Sequence, residues 1–187
     1  MNTEFLQLIK ERRSIRKFKP EQISKEKLDM IIEAGLYAPS AVNSQPWHFT
    51  VIQNQDIIND FNKDLKEILK DSPIPSIKNL SKNENYHFFY NAPTLILVSG
   101  EDAAYDAKTD IAIASQNIML AAHAVGLGSC WIGFANYLFN SPKKDEYIEK
   151  LEIPKGYSPS HVIIIGEKDN DLRKAPARRE NTVNYIR

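Results

Sequence analysis

Residues Asp106–Gly133 read DAKTDIAIASQNIMLAAHAVGLGSCWIG, and the order of elements inside this run decides the fold class. Ile111, Ala114, Ile118, Ala121 and Val125 recur at helical spacing, so Asp106–Val125 is the longest helical pattern in the chain. Its many alanines permit close packing on another element. Gly126 and Gly128 end it, and Ser129–Gly133 follows as a short strand. The run GLGSCW, Gly126–Trp131, begins like the dinucleotide-binding pattern GxGxxG. However, Trp131 stands where the third glycine belongs, and the run follows a helix instead of a strand, so that fingerprint fails twice.

Outward from this run the elements keep a mixed order. Phe5, Leu8 and Ile9 mark a first helix over 3–12, and Ser24 is placed to cap a second with Leu28, Ile31 and Ile32 on its apolar face. Trp47–Gln53 is apolar and β-branched, a strand. Ile57–Lys70 reads as a helix with Ile58, Phe61, Leu65 and Ile68 inward. Residues 71–93, with Pro73, Pro75 and Pro93, read as irregular with at most a short helix, a covering segment. Thr94–Ser99 and His161–Glu167 are buried strands, and Pro142–Leu151 is a helix. The tail from Asn170 has little periodicity and cannot build its own core. About four strands and five helices without βαβ alternation predict an α+β fold.

The chain has 187 residues, enough for one domain with a real core. One cysteine excludes a disulfide framework and a cysteine-based zinc cluster. The start, MNTEFLQLIKERR, has no apolar leader, and no stretch is long enough for a membrane span, so a cytoplasmic, membrane-free protein is expected. The net charge of zero hides a pattern: the balance is +3 over 1–23, −6 over 24–170 and +3 over 171–187. All seven arginines (Arg12, Arg13, Arg16, Arg173, Arg178, Arg179 and Arg187) lie in the two end segments. Arginine's planar fork fits carboxylate and phosphate oxygens in pairs. The segregation suggests anion-binding ends around an acidic body, set against the plainer reading of solvated, solubilising termini. An isoelectric point near 6.9 and the acidic middle argue against nucleic acid.

Most signatures of chemistry are absent. There is no GxxxxGK phosphate loop and no GxSxG elbow, and His48, His87, His123 and His161 are scattered without metal spacing. Cys130 sits in an apolar strand and reads as inert rather than nucleophilic. What remains is anion and amide chemistry. In RRSIRKF, Arg12–Phe18, residues Arg12, Ser14 and Arg16 alternate, so an extended chain turns them to one side as a phosphate clamp. In APSAVNSQPWHF, Ala38–Phe49, Ser40, Asn43, Ser44 and Gln45 offer donors and acceptors before Pro46. Taken alone, that run reads as a structural turn.

Together these runs resemble the nitroreductase-like family of FMN-dependent NAD(P)H oxidoreductases. RRSIRKF is similar to the family's flavin-phosphate motif and APSAVNSQPWHF to its second signature. GLGSCWIG, Gly126–Gly133, is similar to the strand beside the flavin ring, and KAPARR, Lys174–Arg179, to its basic C-terminal element. Segment 71–93 matches least. The resemblance implies a central, mostly antiparallel sheet flanked by helices, and an intertwined homodimer with FMN at the interface. It implies a single domain over 1–187, with 170–187 as a C-terminal arm on the partner.

By motif position, Arg12, Arg13, Ser14 and Arg16 hold the FMN phosphate and ribityl chain, and Arg178 and Arg179 complete the phosphate site. Pro39, Ser40, Ala41 and Asn43 come from the other subunit. Cys130, Trp131, Ile132 and Gly133 line the ring through backbone and packing, and some relatives carry an acidic residue where Ile132 stands. The chemistry then rests on the flavin, with no catalytic side chain and no metal. NADH or NADPH is the reductant, and a nitroaromatic, quinone or similar acceptor follows by a ping-pong mechanism. Left open are a related flavoenzyme (flavin reductase, enone reductase or dehalogenase), a flavin-binding or regulatory module with little turnover, and an anion-binding protein without flavin.

Overall fold

A computed structural model describes residues 3–169 and 174–187. The strands are β1 (Trp47–Ile52), β2 (Thr94–Glu101), β3 (Gly128–Ile132) and β4 (Tyr157–Gly166). The helices are α1 (Glu4–Glu11), α2 (Lys25–Leu36), α3 (Gln55–Leu69), α4 (Pro75–Lys82), α5 (Ala107–Ala124), α6 (Ala135–Phe139) and α7 (Lys144–Lys150), with a 3₁₀ turn over Ala41–Asn43. The four strands form one antiparallel sheet in the order β1-β2-β4-β3.

Central β2 and β4 are buried on both faces, which is why they read as continuous apolar runs instead of alternating ones. Successive side chains still point to opposite faces. Leu95, Leu97, Val162 and Ile164 face a cluster with Ile58, Phe61 and Leu65 of α3 and Leu138 of α6. Ile96, Val98, Ile163 and Ile165 face Ile31 of α2 and Ile111, Ala114 and Ile118 of α5. The result is three layers with the sheet in the middle. Contact between α2 and α5 is close enough that a Cβ on Gly35 would lie 2.8 Å from Ile118 Cγ1.

Local chemistry sets the ends of these elements. Ser24 caps α2 by accepting from the Lys27 amide, and Asn54 caps α3 by accepting from the Asp56 and Ile57 amides. Gly126, at φ +87°, closes α5: its amide donates to the His123 carbonyl and that of Leu127 to Ala122. These two bonds form a Schellman cap, in which the left-handed residue is a glycine because it lacks a Cβ.

One expectation needs correction. There are seven helices among the described residues, not five. The short helix allowed for within 71–93 is α4, begun by Pro75 at its first turn, and α6 was not foreseen. Its five residues, ANYLF, are too few to display a period, although Ala135, Leu138 and Phe139 are all buried. The tail over 174–187 carries no helix or strand and is exposed throughout, as a coreless segment should be. The first residues of the expected arm, Asn170–Arg173, lie outside the described residues. Among the described residues, no helix is long and apolar enough to cross a membrane.

Candidate functional site

The first and third motifs meet at the free edge of β3. Ser14 and Ile15 join it, and 17–19 run on beside 167–169: the Ile15 amide donates to the Ser129 carbonyl at 3.0 Å, Ser14 forms a parallel bridge with Ser129, and Phe18 bridges Lys168. The Lys19 amide then donates to the Glu167 carbonyl at 3.0 Å. Gly128 permits this approach, since a Cβ there would sit 2.8 Å from Ile15 Cγ2. The same path draws the two ends of the domain together. The Asp169 amide donates to the Lys17 carbonyl, and the two side chains pair at 2.8 Å.

Ile15 is buried, and its neighbours on the alternate side gather over Cys130. Burial pushes the Cys130 thiol up, while Arg16, a hydrogen bond with Ser14 and Arg12 act in the opposite direction. The thiol therefore stays protonated and is no nucleophile. Desolvation lowers the pKa of Arg12, yet a guanidinium remains charged. Its Nη1 is buried without a hydrogen-bond partner. A buried, unpaired cationic donor is costly, and Arg12 shares the surroundings of the Cys130 thiol with Ser14 and Arg16.

Arg16 lies over the Tyr90 ring, 5.9 Å from its centroid, and the Tyr90 hydroxyl meets that of Tyr86 at 3.1 Å. Tyr90 and Asn91 both have positive φ, a strained turn at the residue whose ring meets Arg16. Neither tyrosine was singled out from the sequence. The aromatic density of YHFFY, Tyr86–Tyr90, was the available signal.

Arg13 sits where α1 ends. Its guanidinium turns back to donate to the Arg12 and Lys10 carbonyls. These are unsatisfied groups at the α1 C-terminus, where a cation is favoured. Arg178 and Arg179 are on the exposed tail, and Arg178 donates to its own Pro176 carbonyl. No hydrogen bond among the described residues joins them to Arg12 or Arg16.

The second motif belongs to the other face of the sheet. Asp110, in the first turn of α5 and 3% exposed, accepts from the Ala41 amide at 3.1 and 3.3 Å through its two oxygens. Ser40 Oγ accepts from the Gln45 amide at 2.9 Å. Val42, Asn43 and Gln45 are all left-handed, and Val42 is 92% exposed. The loop is thus strained and anchored, and it presents Pro39, Val42 and Asn43 outward. Within one chain, no hydrogen bond among the described residues joins it to Arg12, Ser14 or Arg16. Along β3, Cys130 and Ile132 face the α3 layer, Trp131 faces the α5 side, and a Cβ on Gly133 would meet open space.

This construction has close counterparts. Residues 9–167 match the sequence model of the Nitroreductase family. A nitroreductase with bound FMN from Bacteroides fragilis is 32% identical, with a TM-score of 0.90 over 98% of this chain and 99% of that one. A nitroreductase with bound FMN from Desulfitobacterium hafniense is 28% identical, with a TM-score of 0.91 over 100% of both chains. An FMN reductase (NAD(P)H) of Bacillus subtilis is 29% identical over 194 residues, which cover 97% of this chain and 73% of that protein. Matched along most of its length in sequence, and throughout in fold, the chain belongs to the Nitroreductase family.

Proposed function

We propose that the protein is an FMN-dependent oxidoreductase that uses NADH or NADPH to reduce nitroaromatic, quinone or similar acceptors, as a homodimer with one domain per chain. The observation that carries this reading is the buried, unpartnered Nη1 of Arg12, a residue that converges with Ser14 and Arg16 on Cys130. A dianionic phosphate supplies the acceptors that these donors lack. The chemistry FMN supplies when bound is two-electron transfer between NAD(P)H and an acceptor.

The chain's own residues bind and orient. Arg12, Arg13, Ser14 and Arg16 hold the phosphate and ribityl end, with Arg178 and Arg179 of the tail closing the anion site. Cys130, Trp131, Ile132 and Gly133 offer main chain and packing to the ring, and the open space at Gly133 leaves room for its approach. Pro39, Ser40, Ala41 and Asn43 reach the site of the opposite protomer. Reductant and acceptor use one cleft in turn, which gives ping-pong kinetics. For a nitroarene the balance is one NAD(P)H and one proton consumed, with a nitrosoarene, water and NAD(P)⁺ formed.

The dimer is supported by apolar surface left uncovered in a single chain. Phe5, Leu6 and Ile9 of α1 are 60%, 52% and 42% exposed. A groove of about 360 Å³ lined by Phe5, Leu8, Tyr37 and Leu120 runs between α1, α2 and α5. Patches of this kind mark interfaces.

Absorbance of the purified protein tests the reading. Flavin bands, bleached on mixing with NADH or NADPH without oxygen and restored by a nitroarene, are expected. A colourless protein that takes up no added FMN refutes it. A yellow protein bleached by neither nucleotide is a flavin-binding module.

A further inference from the structure

Asp110 is buried in the first turn of α5, and no cation pairs with it among the described residues. Burying a carboxyl group is costly unless it is hydrogen-bonded. Both oxygens of this one accept from a single donor, the Ala41 amide, 69 positions earlier in the chain. Among the described residues, that contact is the one hydrogen bond leading out of 39–45. The loop's other bonds close on the loop itself. The Asn43 amide donates to the Ser40 carbonyl and that of Ser44 to the Ala41 carbonyl, both at 3.0 Å, and the Gln45 amide donates to Ser40 Oγ.

Val42, Asn43 and Gln45 have φ of 50°, 55° and 49°. Left-handed backbone at residues that carry a Cβ persists only where the surroundings over-determine it. The internal bonds fix the loop's shape, and the Asp110 bond fixes that shape against α5. Its own chain makes no use of the result, since no hydrogen bond among the described residues joins the loop to Arg12, Ser14 or Arg16. We propose that Asp110 is a positioning residue for the flavin of the opposite protomer: by gripping the Ala41 amide in its own chain, it sets the loop that completes the other chain's site. The proposal rests on the oxidoreductase reading above.

Asp110→Leu removes both acceptors at similar volume, whereas Asp110→Asn keeps one. In homodimers, Asp110→Leu is expected to weaken FMN binding about five- to fiftyfold and Asp110→Asn by less than about threefold, read by fluorescence titration. A mixed dimer separates positioning across the interface from a defect of folding. One chain carries Arg12→Ala and the other Asp110→Leu, and two affinity tags isolate the pair. One site then combines both defects. The other joins the intact clamp of the Asp110→Leu chain to the intact loop of the Arg12→Ala chain. One FMN per mixed dimer should bind with the parent's affinity, although neither homodimer has such a site.

Two weakened sites in the mixed dimer confine the effect of Asp110 to its own chain and overturn the proposal. Parental FMN affinity in the Asp110→Leu homodimer also overturns it. If Asp110→Leu does not fold, Asp110→Asn enters the mixed dimer in its place, and amide hydrogen exchange in the parent supplies a test that needs no variant. The Ala41 amide must exchange more slowly than that of Val42, which has no hydrogen-bond partner among the described residues, and equal rates overturn the proposal. Failure of the oxidoreductase reading looks different, because the parent then takes up no FMN or forms no dimer.

Discussion

At the scale of single residues, the site rests on a charge that one chain leaves unanswered. Removing a charged hydrogen-bond donor that meets a phosphate costs about 1.5–3 kcal/mol. Arg12→Ala is therefore expected to weaken FMN binding roughly ten- to a hundredfold, read from quenching of FMN fluorescence on titration. Arg16→Ala weakens it more than Lys19→Ala does, and equal effects of these last two refute the clamp. The alternation of Arg12, Ser14 and Arg16 was legible because side-chain direction in an extended segment is local. The bonds of the Arg13 guanidinium to the Arg12 and Lys10 carbonyls were not, because they depend on where α1 ends. Nor were the partners of His161, which are 46 and 30 positions away along the chain. Burial holds His161 at about 3 and His87 at about 4, against roughly 6.5 for an unfolded histidine. The unfolded chain therefore binds more protons in this window. The stability these groups contribute is complete above about pH 6.5 and is lost as pH falls through the folded values. Urea midpoints should drop from about pH 6.5 to 4.5, each histidine adding about 1.4 kcal/mol per pH unit, with a shallower slope in His161→Phe.

At the scale of elements, the long and strongly periodic ones were legible. α3 and α5 were foreseen within two residues of their observed ends because each lays a repeating apolar stripe on the sheet and carries a capping side chain. α6 was not, since five residues complete little more than one turn. The covering segment was legible only as a break. Its aromatic residues acquire meaning when Tyr90 meets Arg16 across the fold. Two substitutions test how the elements hold the site. Gly128→Ala forces a Cβ to within 2.9 Å of Ile15 Cγ2, Ile15 Cβ and Lys168 Cγ. It is expected to destabilise by about 1–3 kcal/mol in denaturant titration and to loosen FMN binding by displacing the Arg12–Arg16 segment. Val42 is a β-branched residue at φ 50° and almost fully exposed, so it is strained without packing in return. Val42→Gly should raise apoprotein stability by about 0.5–1 kcal/mol, the relief being partly offset by glycine's greater unfolded freedom.

At the scale of the whole molecule, the charge division acquires a geometry. Lys17 and Asp169 pair at the edge of the sheet, so the two arginine-bearing ends leave the domain from one place. The tail that follows carries Val183, Tyr185 and Ile186, which are 65%, 78% and 95% exposed. Apolar side chains on a segment without a core find burial only against another surface, and Phe5, Leu6 and Ile9 of α1 leave such a surface open. The strand order β1-β2-β4-β3 was beyond the sequence, because antiparallel pairing leaves no βαβ signature to read. The proposal of a second chain rests on apolar and basic residues that no local element uses. If two chains share each flavin site, assembly and FMN retention must fail together. Phe5→Glu with Leu6→Glu places charge on the exposed face of α1 without touching the Arg12–Arg16 group. Sedimentation velocity should then show a monomer, and gel filtration should strip it of flavin while the far-ultraviolet spectrum stays folded. Deletion of 174–187 removes Arg178 and Arg179 together with the apolar tail, and should weaken FMN retention even in whatever dimer remains. A folded monomer that keeps one FMN per chain through gel filtration contradicts the shared site and confines the flavin to the edge of β3.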